Sequence, residues 1–96
     1  MKPFKEEIFM YLHLGNDVTV RKEDVLGIFD LDNSSSSYLT KKYLARAEKA
    51  GQVINAAGME LPKSFVVCAH PQGQRLYLSQ LNSSTLLKRN EGNGLE

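Results

Sequence analysis

Cys68 and His70 come nearest, by residue type and spacing, to catalytic or metal-binding chemistry. They stand two residues apart on a predicted strand, so both would face the same side of a sheet. Such a pair could act as a thiolate–imidazole nucleophile, or could bind a metal with His13 as a further ligand. Cys68 lies within an apolar run, however, where a buried structural thiol is the common outcome. We therefore expect Cys68 and His13 to pack in the core.

The familiar enzyme motifs are absent from the sequence. It contains no G-x-G-x-x-G dinucleotide fingerprint, no Walker phosphate loop and no G-x-S-x-G nucleophile elbow. The acidic pairs Glu6-Glu7 and Glu23-Asp24 are adjacent in sequence, so their carboxylates need not face each other. We predict a protein that is not an enzyme and that requires no cofactor, metal or small-molecule substrate.

Basic side chains are the remaining candidates for a binding surface. Lys42, Arg46 and Lys49 follow one another at helical spacing and form one stripe of a predicted helix. Arg21-Lys22 and Lys63 lie in predicted loops, from which a charge projects easily toward a ligand. Each phosphate that such cations neutralise releases condensed counterions, which favours binding to nucleic acid. The alternative is an ordinary solvated surface.

Composition and charge restrict the class of protein. The chain has 96 residues, 42% hydrophobic and 24% charged, as expected for one small globular domain. Its single Cys excludes an intramolecular disulfide and favours a reducing, cytoplasmic location. No apolar run approaches the roughly 20 residues of a membrane span. The net charge of +1 divides into −3 for residues 1–40 and +4 for residues 41–96, which suits either a polyanion-binding face or head-to-tail contact between copies.

Short apolar runs separated by turn residues predict an α+β fold in a single domain. It would contain a small sheet of five or six short strands, one central helix and one short C-terminal helix. The strands are expected at about residues 10–14, 18–20, 25–29, 53–56, 65–70 and 76–79. Gly27 inside the third strand indicates a bulge or a close backbone approach, and His70-Pro71-Gln72-Gly73 indicates a turn.

The central helix is expected over residues 37–50, with Gly51 as its C-terminal stop. The residues expected on its apolar side are Leu39, Tyr43, Ala47 and Ala50. The short helix should begin at Ser83 or Ser84. We divide the chain into an N-terminal extension over residues 1–9, a domain over residues 10–89 and a flexible, glycine-rich tail over residues 90–96.

Four segments in this order resemble the bacterial RemA/RemB family of extracellular-matrix regulators, and the RemB branch more closely. They cover about residues 10–89 and read MYLHLG (10–15), DVLGIFD (24–30), PKSFVV (62–67) and LNSSTLLKR (81–89). The resemblance implies a small homo-oligomeric, DNA-binding regulator. Members of the RemA branch form rings whose basic loops face the DNA backbone, and they activate biofilm-matrix genes.

The RemA branch carries a run of arginines after a glycine, in the loop before the strand that corresponds to residues 65–70. In this sequence Gly58 is followed by Met59-Glu60-Leu61-Pro62-Lys63, so the arginine run is missing and Lys63 alone supplies positive charge. Arg21 and Lys22 stand in the other loop from which that branch contributes basic residues.

We expect a DNA-associated transcriptional regulator that acts as a ring or another homo-oligomer on the backbone of double-stranded DNA. Lys63, Arg21 and Lys22 would be the principal phosphate contacts, with Lys42 and Arg46 behind them. The alternative is a homo-oligomeric adaptor that binds proteins and not DNA, through edge strands such as residues 10–14. The missing arginine run and the near-neutral charge favour this alternative. Neither function involves a membrane.

Overall fold

A computed structural model of the chain describes residues 10–31 and 38–91. The six strands are β1 (Tyr11–Gly15), β2 (Val18–Arg21), β3 (Val25–Asp30), β4 (Val53–Asn55), β5 (Ser64–His70) and β6 (Gly73–Ser79). The helices are α1 (Tyr38–Lys49), between β3 and β4, and α2 (Ser83–Glu91), after β6. A single 3-10 turn, Lys22–Asp24, joins β2 to β3. The predicted α+β fold is confirmed, with the strands and helices at the expected places.

Three predicted boundaries lie at or beyond the limits of the described residues. The extension over residues 1–9 and the expected helix start at residue 37 lie outside the described residues. α2 continues to Glu91, so the first two residues of the predicted tail are helical, and residues 92–96 also lie outside the description. Neither described helix is long and apolar enough to cross a membrane.

Four strands form the main sheet in the order β3–β5–β6–β4. β5 is antiparallel to both β3 and β6, and β4 is parallel to β6. β5 and β6 are joined by the predicted turn, in which His70 pairs with Gly73. The ladder between β3 and β5 shifts register between Val25 and Gly27, which confirms the predicted irregularity. β1 and β2 form a separate antiparallel hairpin.

The main sheet is covered on both faces, which explains why Ser64–Cys68 of β5 are all buried. Alternate residues of a strand point to opposite faces, and the buried side chains accordingly form two clusters. One contains Ala47 of α1 with Phe65, Val67 and Leu76. The other contains Leu12 and Leu14 of β1, Leu86 of α2, and Val66 and Cys68. The fold therefore has three layers: α1, the sheet, and the hairpin with α2.

The face of α1 that packs on the sheet differs from the predicted one. Leu39 is 73% exposed and Tyr43 is 39% exposed, and Ala50 is exposed as well. The buried or half-buried residues are Thr40, Leu44 and Ala47, which share one side of the helix. The prediction is correct for Ala47 and wrong for its three companions. Ala47 and Leu44 pack against the buried side chains of the sheet, and this orientation of the helix turns Leu39 and Tyr43 outward.

The end of α1 follows from Gly51, as predicted. Gly51 has φ +72°, a left-handed conformation that glycine adopts without strain. Its N–H donates to the Glu48 carbonyl (3.0 Å), and the N–H of Gln52 donates to the Ala47 carbonyl (2.9 Å). These two bonds form a Schellman motif, which satisfies carbonyl groups that the end of a helix leaves open.

Candidate nucleic-acid interface

Lys63 directly precedes β5, at a point where its backbone is bonded on both sides. Its N–H donates to the Ser79 carbonyl (2.8 Å), and its own carbonyl accepts from the N–H of Leu31 (3.0 Å). The side chain is exposed. The sheet therefore presents this ammonium group to solvent from a fixed backbone position.

The loop between β4 and β5 is held by two asparagine side chains. Asn16 Nδ2 donates to the Ala56 carbonyl (2.8 Å). Asn55 Oδ1 accepts from the N–H of Ala57 (2.9 Å), and its Nδ2 donates to the Gly58 carbonyl (3.1 Å). Gly58 has φ +66°, and a Cβ at this position would lie 2.9 Å from Asn16 Nδ2. The loop therefore has a defined shape that depends on a glycine at this position.

Two large apolar side chains project from the same loop. Met59 is fully exposed and Leu61 is 83% exposed. Between them the N–H of Glu60 donates to the Ala57 carbonyl (3.1 Å), so a turn shapes the backbone that carries them. Sequence reasoning notices the arginines missing from this loop but misses the apolar pair that stands in their place. The available signal is the presence of two large apolar side chains in a turn.

Arg21 is the last residue of β2 and Lys22 is the first of the 3-10 turn, so the prediction of a loop at these two residues is wrong. The Arg21 guanidinium forms an ion pair with the Glu23 carboxylate, and both side chains are more than half exposed. Such a surface pair stabilises the fold by at most about 1 kcal/mol, but it offsets the positive charge that Arg21 presents to an anion. Lys22 is half-buried, and its N–H donates to the Met10 carbonyl (2.8 Å).

The two basic loops do not meet within one chain. β3 begins opposite Cys68 and ends opposite Ser64. Arg21-Lys22 lie one short turn before the start of β3, whereas Lys63 directly precedes Ser64. At about 3.3 Å per residue, four residues of strand separate these ends by roughly 13 Å. The structure therefore places Lys63 and Arg21-Lys22 at opposite ends of the β3–β5 ladder.

α1 carries the densest positive charge among these candidates. Its basic residues are Lys41, Lys42, Arg46 and Lys49, and its acidic residue is Glu48. Lys42, Arg46 and Lys49 are all exposed and follow at i, i+4 and i+7, so they form the predicted stripe along one flank. Seven residues of helix span about 10 Å. This stripe of three cations has no acidic member.

A second, neighbouring stripe of α1 consists of two apolar side chains followed by Arg46. Leu39, Tyr43 and Arg46 also follow at i, i+4 and i+7. Leu39 and Tyr43 face a groove of about 380 Å³ whose opposite wall includes Leu26 and Phe29 of β3. The Tyr43 hydroxyl donates to Gln74 Oε1 (2.9 Å), which fixes the ring at the groove.

The environment of Cys68 does not suit a nucleophile. The side chain is 3% exposed, and burial raises the pKa of its thiol from 9.0 to about 11, with the charge of Asp24 as a second cause. The thiol is therefore protonated at neutral pH, whereas nucleophiles and metal ligands need the thiolate. His70 Nδ1 accepts from the N–H of Gln72 (3.2 Å). The prediction that Cys68 packs in the core is confirmed.

His13 departs from its predicted place. It is exposed on β1, between the buried Leu12 and Leu14, because the hairpin covers the sheet with one face only. The expectation that His13 packs in the core is wrong. Over residues 10–31 and 38–91, no three His, Cys, Asp or Glu side chains lie together where they could hold a metal ion.

Comparisons with known proteins identify the family of this chain. The family described as RemA-like, extracellular matrix regulatory protein A-like, matches residues 11–89. Extracellular matrix regulatory protein B of Bacillus subtilis (strain 168) is 38% identical over 80 residues, which make up 83% of this chain and 89% of that protein. The resemblance predicted from the four segments is thus confirmed. This chain belongs to the RemA-like family.

Proposed function

We propose that this protein is a cytoplasmic, DNA-associated transcriptional regulator of the extracellular matrix that acts as a homo-oligomer. The name of the Bacillus subtilis relative supports a role in matrix regulation. The burial of Cys68, and the raised pKa of its thiol, argue against a thiol enzyme. DNA binding and oligomerisation are the parts of the proposal that require their own tests.

The basic stripe of α1 carries the DNA-binding part of the proposal. Lys42, Arg46 and Lys49 present three exposed cations along about 10 Å of a helix. Cations in this arrangement contact backbone phosphates, which position a protein on DNA without reading its sequence. Lys63 adds a fourth cation from the β4–β5 loop, whereas Arg21 contributes less because Glu23 is its ion-pair partner.

Oligomerisation compensates for the small charge of one chain. A net charge of +1 gives a single copy little attraction to a polyanion. Several copies on one assembly bind with avidity, because each further contact forms at a high effective concentration.

The test is a pair of double charge reversals measured by fluorescence anisotropy on a random-sequence duplex. Lys42→Glu with Lys49→Glu should weaken binding at least tenfold at 50 mM salt and reduce the salt slope by about 2 for each copy that contacts the duplex. Lys88→Glu with Arg89→Glu, on exposed positions of α2, makes the same change in net charge. This control should retain most of the affinity and slope.

Equal losses in the two double variants would contradict a contact through α1 and leave only a general effect of net charge. Lys63→Glu alone should reduce the slope by about 1 for each copy that contacts the duplex, to the same extent on every duplex sequence. An unchanged slope would remove Lys63 from the interface.

A protein-binding adaptor is the second candidate, and the exposure of Met59 and Leu61 favours it. Exposed apolar side chains on an ordered loop suit a protein surface better than a phosphate backbone. In that case the wild-type oligomer would not bind DNA at 50 mM salt, and it would keep its protein partner at high salt.

A further inference from the structure

The β4–β5 loop ends in an apolar tip, formed by Met59 and Leu61. Monomeric proteins commonly leave single apolar residues exposed. Two large apolar side chains exposed side by side on one loop are characteristic of an interaction surface. The order of the loop comes from Asn16 and Asn55, whose side chains bond its backbone at Ala56, Ala57 and Gly58. These bonds hold the base of the loop, and the N–H of Glu60, bonded to the Ala57 carbonyl (3.1 Å), holds the backbone between Met59 and Leu61.

An apolar groove lies elsewhere on the same chain, between α1 and the edge strand β3. Its exposed walls are Leu26, Phe29, Leu39 and Tyr43. Gly27 shapes its floor, because a Cβ there would lie 2.7 Å from the Phe29 ring, which lies across that position. A cavity of about 150 Å³ accepts a benzene-sized group. The groove, at about 380 Å³, has room for two apolar side chains.

The charges beside these two surfaces are complementary. Glu60 lies between Met59 and Leu61, so the tip has a carboxylate at its centre. Arg46 lines a depression of about 260 Å³ that shares Leu39 and Tyr43 with the groove. A tip that entered the groove would bring Glu60 toward Arg46, and the DNA contact of the α1 stripe would then rest on Lys42 and Lys49. The pattern of the tip, apolar–acidic–apolar, therefore fits the groove of this same protein.

We propose that the apolar tip of one copy docks into the α1–β3 groove of a second copy. The tip and the groove are different surfaces, so the contact is head-to-tail and propagates from copy to copy into a ring or a filament. The proposal rests on the homo-oligomer of the proposed function and names the surfaces that build it. The exposure of Met59 and Leu61 shows that the tip does not reach the groove of its own chain.

The test measures assembly mass by light scattering in the absence of DNA. Met59→Asp with Leu61→Asp replaces the apolar side chains of the tip by carboxylates. Leu39→Asp with Leu26→Asp does the same to two walls of the groove. All four positions are exposed, so the domain should stay folded, which circular dichroism verifies. Leu87→Asp, on an exposed apolar position of α2, is the matched control and should keep the wild-type mass.

Each double variant should be monomeric at 10.8 kDa. An equimolar mixture of the two should form a dimer and nothing larger, because the mixture pairs one intact tip with one intact groove. Glu60→Arg should raise the dissociation constant of the contact between copies at least tenfold. Adding Arg46→Glu to the same chain should restore the wild-type value.

If the tip variant kept the assembly mass of the wild type, the proposal would be overturned, and the homo-oligomer would have to form through another surface. Failure of the mixture to dimerise would also overturn it, in favour of a symmetric contact. A monomeric wild type that binds DNA would refute both this contact and the oligomer, but not the DNA-binding part of the proposed function.

Discussion

Replacement of Ser79 by alanine should destabilise the fold more than the loss of one oxygen atom suggests. Ser79 is fully buried. Its hydroxyl donates to the Leu14 carbonyl (2.7 Å) and accepts from the N–H of Leu81 (3.1 Å). One side chain therefore joins β6 to the hairpin layer and to the segment that enters α2. Ser64, opposite Ser79 in the ladder, supports the same segment by donating to the Leu81 carbonyl (2.7 Å).

The size of the effect follows from these two bonds. Each contributes about 1 kcal/mol, and a buried carbonyl left without a donor costs about 1–3 kcal/mol. Leu14 is itself fully buried, so water does not replace the lost donor readily. We expect the free energy of unfolding to fall by about 2–4 kcal/mol. A domain of this size has about 5–14 kcal/mol in total.

Urea unfolding followed by circular dichroism measures this loss. With a slope of about 1–1.5 kcal/mol/M, the midpoint should fall by about 2 M. Ser84→Ala is the matched control, because the Ser84 hydroxyl is exposed and donates only to Asn82 Oδ1 (2.9 Å). It should cost less than about 0.5 kcal/mol. If Ser79→Ala cost no more than Ser84→Ala, the hydroxyl would not connect the layers as argued.

Two further predictions concern the β4–β5 loop and the buried thiol. Gly58→Ala should cost about 1–2 kcal/mol in thermal unfolding, because its φ is +66° and Asn16 occupies the Cβ position. Gly51→Ala should lower the stability less, because Gly51 has a similar φ of +72° but no atom lies near the added Cβ. Equal losses in the two variants would contradict a clash with Asn16. Because the pKa of Cys68 is raised to about 11, the folded state keeps its proton where the unfolded state loses it. The stability of the wild type relative to Cys68→Ala should therefore fall between pH 9 and pH 11, and a constant difference would refute this linkage.

Local signals predict the elements of this fold well. Gly27 illustrates this, because a glycine within an apolar strand predicted the irregularity that the β3–β5 register contains. Gly51 likewise predicted the end of α1. Such signals depend on backbone conformation within a few residues, which the sequence specifies directly.

Features that depend on packing between elements were harder to predict. Leu39 and Tyr43 look like core residues by periodicity, but the helix packs on the sheet through Leu44 and Ala47, which turns them outward. The His13 side chain is exposed to solvent because only one face of the hairpin packs against the rest of the protein.

In the candidate site too, the sequence predicts local features, whereas features that depend on the fold were not predicted. The sequence located the basic loops, but only the register places Lys63 and Arg21 at opposite ends of a ladder. The ion pair between Arg21 and Glu23 depends on side-chain geometry that spacing does not fix. The apolar tip required the fold, because exposure of Met59 and Leu61 is a property of the folded loop.

The central claim is that an assembly of this chain binds the DNA backbone. Its most direct test is fluorescence anisotropy of a labelled random-sequence duplex of about 40 base pairs, at 50 and 200 mM salt, with the assembly mass measured in the same buffers. We predict an assembly larger than a dimer whose affinity falls about tenfold or more between the two salt concentrations. An intact assembly that does not bind DNA at 50 mM salt would contradict the claim and favour the protein-binding adaptor.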